Sequence, residues 1–191
     1  MPLTKIKSLG ITDGTIVNAD INASAAIDST KLSGVSAGKF ESALLHVRDE
    51  KANNTGGGTF TSGSFLTRTL NTSLTNEISG ASLSSNQIIL PSGTYYIEAL
   101  APAFAVTRHK TKLRNITDSS DTLIGTNEIT YNVDSTVSTC SFITGRFTIA
   151  AQKTFELQHR CENTKSTDGF GIENNFSVVE VYSNVRIWKV A

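Results

Sequence analysis

Arg108, Lys110, Lys112 and Arg114 stand two residues apart, the densest basic stretch in a 191-residue chain whose 17 basic and 17 acidic residues otherwise cancel. Side chains two apart on a strand share a face, so these four would line one side while His109, Thr111 and Leu113 line the other. Such a row could hold an acidic bacterial polysaccharide on a host surface. It could equally be a solvated edge whose lysines keep sheets from pairing edge to edge. With a formal net charge of zero and no wider basic field, nucleic acid is not an expected partner.

The remaining candidates for chemistry are sparse. His46 lies near Asp49 and Glu50, a spacing that could mimic a metal pair but reads more simply as a strand end with solvated charges. His159, between Leu157 and Cys161 on an apolar alternation, is expected to be a hydrogen-bonded core or interface histidine rather than a ligand. Asp118 and Asp121 flank two serines without matching a calcium loop, and an ordinary polar turn is expected there. There is no His-Glu-x-x-His, Cys-x-x-Cys or phosphate loop, so the expectation is a protein without enzymatic activity, metal or cofactor. For sugar recognition the aromatic candidates are Tyr95, Tyr96, Tyr131, Phe170 and Trp188. Phe170, between Gly169 and Gly171, is expected to be the most exposed, unless it anchors its loop to the core.

These side chains must be positioned by strands. From Phe40 onward the chain consists of short runs rich in β-branched and aromatic residues, separated by Gly, Asn, Asp and Ser clusters. Strands are expected over Phe40–Arg48, Thr59–Leu70, Gln87–Leu90, Gly93–Ala105, Lys110–Ile116, Thr122–Tyr131, Val137–Ile149, Thr154–Cys161 and Ser177–Val190, enough for an all-β sandwich or barrel. Loops are expected at Ala52–Gly58, Asp118–Asp121 and Asn163–Gly171. The C-terminal strand, with Val181, Tyr182, Val185, Ile187 and Trp188, reads as structural and central.

Two alternations define the next expectation. Ile143, Phe147 and Ile149 share one face; Phe155, Leu157, His159 and Cys161 share another. Joining the segments through Ala150-Ala151-Gln152 would make a hairpin pairing Ile149 with Lys153 and Phe147 with Phe155. Parity then puts Cys140 and Cys161 on opposite faces, so free thiols are expected.

The chain before residue 39 is different in kind. It has no aromatic residue, and Ile6, Ile11, Ile16 and Ile21 recur every five residues, followed by Ile27 and Leu32. A five-residue step builds a face on neither a helix nor a strand. Ordering such a segment costs about 1–2 kcal/mol per residue, against about 1.5–3 kcal/mol for each buried apolar side chain. The expectation is an extended assembly arm over residues 1–38 that needs partners, followed by a domain over 39–191 of a size that supports its own core. No run approaches the 18 or more apolar residues of a membrane span, and no signal peptide is read at the N-terminus. A soluble protein made in a cytosol, without membrane insertion, is expected.

Three segments carry a family resemblance: Gly93-Thr-Tyr-Tyr-Ile-Glu-Ala-Leu-Ala-Pro-Ala, Gly145-Arg-Phe-Thr-Ile-Ala-Ala-Gln-Lys-Thr-Phe-Glu-Leu-Gln, and Val179-Glu-Val-Tyr with Arg186-Ile-Trp-Lys. Together they resemble the jelly-roll domain of the tumour necrosis factor and complement globular-head type. Over nearly the full length, with Ile11-Thr-Asp-Gly-Thr-Ile-Val-Asn-Ala-Asp-Ile, Phe155-Glu-Leu-Gln-His-Arg-Cys and Thr167-Asp-Gly-Phe-Gly, the chain resembles fibre-type structural proteins of tailed marine bacteriophages. The resemblance implies a jelly-roll sandwich, a homotrimer, attachment through the arm to other virion proteins of the tail, portal region or capsid, and a head presented for host attachment. It leaves open a capsid decoration or tail connector without a receptor role, and a sugar-binding module.

Overall fold

The computed structural model describes residues 43–130 and 137–190. The arm expected over 1–38, with Ile6, Ile11, Ile16, Ile21, Ile27 and Leu32, lies outside the described residues, as does Tyr131.

Eleven strands form among the described residues: β1 (Leu44–Lys51), β2 (Leu66–Thr67), β3 (Thr72–Asn76), β4 (Ser82–Ser84), β5 (Gln87–Leu90), β6 (Gly93–Phe104), β7 (Arg108–Asn115), β8 (Ser120–Ile129), β9 (Ser138–Ile149), β10 (Lys153–Cys161) and β11 (Glu180–Lys189). They lie in two sheets, ordered β3-β1-β11-β6-β9 and β4-β5-β10-β7-β8, with β2 pairing β10 off the main path. The antiparallel pairs β1 with β11, β5 with β10, β6 with β9 and β7 with β8 nest inside one another in sequence. That nesting of eight strands across two sheets is a jelly roll. The protein is an all-β, two-sheet jelly-roll sandwich.

Period-2 patterning explains why these segments close on one another. Leu45 and Val47 of β1, Tyr95 and Ile97 of β6, Ile143 of β9, and Val185 and Ile187 of β11 are buried, and they meet Ile88, Leu90, Leu113, Phe155 and Leu157 from the other sheet. Each such side chain contributes about 1.5–3 kcal/mol on burial. β11 sits between β1 and β6, the central place its apolar run predicts.

The expected β9–β10 hairpin does not form. β9 pairs with β6, and β10 with β2, β5 and β7, so residues 150–152 carry the chain from one sheet to the other. Phe147 and Phe155 still meet, with ring centroids 5.4 Å apart, but across the core rather than along a shared ladder. The same apolar face satisfies both arrangements, which is why the pattern could not separate them. The two cysteines are free: Cys140 is half-buried on β9 and Cys161 buried on β10.

The long strand expected over Thr59–Leu70 is also corrected, to an irregular crossing with only Leu66–Thr67 in a sheet. β3 and β4 escaped the sequence reading because Thr-Ser-Leu-Thr-Asn and Ser-Leu-Ser are polar, short edge strands with no face to bury.

The strand directions give the sandwich two distinct ends. Leu44 pairs with Trp188 at one, where residues 91–92, 116–119 and 150–152 turn; Lys51 pairs with Glu180 at the other, where the longer segments 52–65 and 162–179 run. The two ends are about 23 Å apart along β1. A second small core of Phe60, Ala103, Val106 and Cys161, joined by Leu66 and Phe170, lies beneath those long segments.

Candidate functional site

β7 alternates as its sequence predicts. His109, Thr111, Leu113 and Asn115 are buried, while Arg108 is exposed and Lys110, Lys112 and Arg114 are half-buried on the outer face. β7 is not an edge, however: it lies between β10 and β8, so the lysines do not guard a free edge.

The four cations are not equivalent. Lys112 and Arg114 both reach Asp121 Oδ1 at 2.9 Å, and Lys112 Nζ also sits 4.2 Å from the Phe65 ring centre. Asp121 is held below the usual carboxylate range first by its Lys112 bond, against the cost of burial, with Arg114 adding to it. Arg108 meets Glu162 at 3.4 Å. Lys110 is in no ion pair among the described residues. Its direct cross-strand partner on β10 is Arg160, a second cation without an ion pair there. Like charges placed opposite each other on a sheet repel.

These two line an open groove of about 840 Å³, with Phe65 and Ile129 as its apolar wall and Arg108 and Glu162 at its rim. That volume falls in the range of small-ligand clefts. Arg160 had no prominence in the sequence, because the only other Lys or Arg of β10, Lys153, is seven residues away. Only the register beside Lys110 gives it a role.

Beneath the groove the chemistry is closed off. His109 Nδ1 and His159 Nε2 share a 2.9 Å hydrogen bond, His109 Nε2 meets Thr139 Oγ1 at 2.8 Å, and both rings are buried. Arg68, also buried, donates from Nε to Ser183 Oγ (2.7 Å), from Nη1 to the Pro102 carbonyl (3.3 Å) and from Nη2 to the Phe170 carbonyl (3.0 Å). Burial pushes Arg68 down to about 9. Burial, then the Arg68 charge, lowers His109 to about 4 and takes His159 well below its ordinary value. Both imidazoles are therefore neutral near pH 7. Burial pushes the Cys161 thiol up to about 11, the opposite of what an activated nucleophile needs.

The other candidates separate. His46 bonds Asn184 Oδ1 at 2.7 Å, whereas Asp49 is buried at 1 % exposure, so the two do not form a metal pair and Asp49 is not a solvated charge. Asp118 is taken by Lys153 at 2.6 Å and Asn115 at 2.8 Å, an ordinary turn. Phe170 is not a free surface ring. It stacks on Phe60 at 4.3 Å beneath the Arg68 guanidinium, 4.1 Å from its centre, and anchors its loop. Tyr95 is buried, its hydroxyl donating to the Pro91 carbonyl at 2.7 Å, and Tyr96 lies 6.0 Å from Trp188. The most exposed aromatic ring among the described residues is Phe176, at 78 %. Its setting of Asn174-Asn175-Phe176-Ser177, a polar run with no room for a strand pattern, was the available signal.

No family model matches the sequence, and no curated protein does. Among solved structures the chain is similar to the globular domain of zebrafish complement 1qA protein, with a TM-score of 0.48 and 12% identity over 78% of this chain and 98% of that one. It is also similar to murine APRIL at pH 5.0, with a TM-score of 0.48 and 6% identity over 77% of this chain and 98% of that one. The jelly-roll assignment stands on the strand pairings themselves.

Proposed function

We propose that the chain is a non-enzymatic attachment protein of a virion: a homotrimer whose jelly-roll heads bind acidic polysaccharide on a host surface through the groove, while the residue 1–38 arm joins the particle. The observation that carries this reading is the juxtaposition of Lys110 and Arg160 without an ion pair, in a concave site with an aromatic wall. A bound carboxylate relieves their mutual repulsion, and a sugar ring has Phe65 to pack against.

Two further features support it. Ile124 of β8, Val137, and Phe142 of β9 are each between 48% and 56% exposed where the two edge strands β8 and β9 meet, an apolar surface suited to a sister chain. Arg108 opens β7 and Arg160 stands one residue from the end of β10, so the groove sits toward the end where the longer segments run, which suits recognition there. Three heads on one particle raise avidity without a tight single site.

The test is retention of the purified protein on immobilised alginate, a uronate polymer, over a range of salt. Retention that weakens with salt, and falls at least tenfold in the Lys110→Ser, Arg160→Ser double variant, is expected. Unchanged retention in that variant would sink the groove reading. Light scattering should give the mass of a trimer, and deletion of residues 1–32 should leave a folded head that no longer incorporates into particles.

A further inference from the structure

Two asparagine pairs that are remote in sequence converge at the long-loop end. Asn53-Asn54 follow β1, and Asn174-Asn175 precede Phe176. Glu180, the first residue of β11, accepts backbone N–H groups from Asn174 (3.1 Å), Asn175 (3.0 Å) and Asn54 (3.4 Å), which draws the two loops onto one carboxylate. Those bonds hold Glu180 below the usual carboxylate range, the Asn174 bond foremost. Asn53 Oδ1 takes the Ser177 N–H at 3.0 Å, and the Tyr182 hydroxyl donates to the Thr55 carbonyl at 2.7 Å.

The tip is therefore fixed, and it is fixed in an uncommon shape. Asn54, Asn175 and Ser177 hold φ values of 64°, 58° and 61°, a left-handed region that asparagine enters more readily than most residues and serine seldom adopts. What this scaffold holds out foremost is a phenylalanine at 78 % exposure, the most exposed of the large apolar side chains described, with Val178 and Val179 also exposed after it. Asn54, Asn174 and Asn175 of the same two loops are exposed, and their side-chain amides make no hydrogen bond among the described residues.

A rigid ring edged by free amides matches the two surfaces of a pyranose, an apolar C–H face and a rim of hydroxyls that both give and accept hydrogen bonds. Residues 52–55 and 172–180 contain no lysine or arginine, and their only charges are Glu173 and Glu180. An acidic sugar would be repelled and an anionic membrane would gain nothing. We propose that the Phe176 tip is a second glycan-binding surface, taking the face of an uncharged hexose in a neutral polysaccharide. None of its residues lines the Lys110–Arg160 groove, so this site goes beyond the acidic-polysaccharide reading and is separable from it.

The experiment is affinity electrophoresis of the full chain in gels containing dextran, a mannan or a galactan, with alginate gels and phosphatidylcholine vesicles alongside. Retardation by at least one neutral polymer is expected. Phe176→Ala should reduce it at least tenfold and Asn174→Ala severalfold, Phe176→Trp should preserve it, and none of the three should alter behaviour on alginate. Since Phe176 is exposed, the alanine variant should unfold at the parent temperature, which thermal melting checks. No retardation by any of the neutral polymers, or equal retardation of Phe176→Ala, would overturn the proposal. So would sedimentation with the vesicles that depends on Phe176 and occurs without glycan retardation, since the tip would then be a lipid contact.

Discussion

Lys110 on β7 and Arg160 on β10 are direct cross-strand partners, and neither is in an ion pair among the described residues. Directly opposed like charges cost about 0.2–1 kcal/mol. Lys110→Ser or Arg160→Ser alone should therefore raise the unfolding free energy by about that amount in low salt, and 0.5 M NaCl should shrink the gain by screening. Chemical denaturation of the single variants and the parent, at two salt concentrations, measures both. Such a gain would fit the proposed groove, whose opposed cations would then serve an anion rather than stability.

The buried His109–His159 pair predicts a pH profile. His109 has an ordinary pKa of 6.5 in the unfolded chain and about 4 when folded, and His159 is lowered in the same direction. The unfolded state thus binds more protons between these values. The stabilisation is fully present above pH 6.5 and is lost as pH falls toward about 4, on the order of 3 kcal/mol for His109 alone. Asp49, whose burial raises its pKa, acts with the opposite sign and offsets part of the loss. Urea titrations at pH 7.5 and 4.5 should show the drop, and His109→Gln should flatten it.

Arg68 ties three segments together through Ser183, Pro102 and Phe170. Arg68→Met keeps much of the volume but strands those acceptors in the interior, for a loss of about 2–4 kcal/mol. The Phe170 loop should loosen first, seen as faster proteolytic nicking within 163–171 before global unfolding.

Gly125 is where β8 closes against β9. A Cβ there would stand 2.3 Å from Thr111 Oγ1 and 2.9 Å from the Phe142 carbonyl, and Thr111 is itself bonded to Ser141 at 2.8 Å. Gly125→Ala should destabilise by about 1–3 kcal/mol. Because Ile124 and Phe142 flank the same seam, the variant should also lower the mass observed by light scattering if this flank joins sister chains.

The sequence made the faces legible and left the partners hidden. On β7 and β10 the alternation identified which side chains turn inward, His159 included, since period 2 follows from the pleat alone. It could not say that β9 and β10 belong to different sheets, because a buried face looks the same whichever neighbour supplies the hydrogen bonds. Phe170 and Phe176 show the same limit for loops. Both sit among small polar residues, and only the packing of Phe60 and Arg68 against the first decides which ring is left in water. The role of Arg160 likewise exists only through register.

The central position of β11 sets the order of events during synthesis. β1 and β6 cannot be joined until the strand that lies between them has been made, and it is made after every other described strand. Until the ribosome releases residues 180–189, the nascent chain carries two open sheet edges and lacks Val185 and Ile187 from its core, a state prone to pairing with its neighbours. Closure of the first sheet should consequently come late, only after β11 has emerged to bridge β1 and β6.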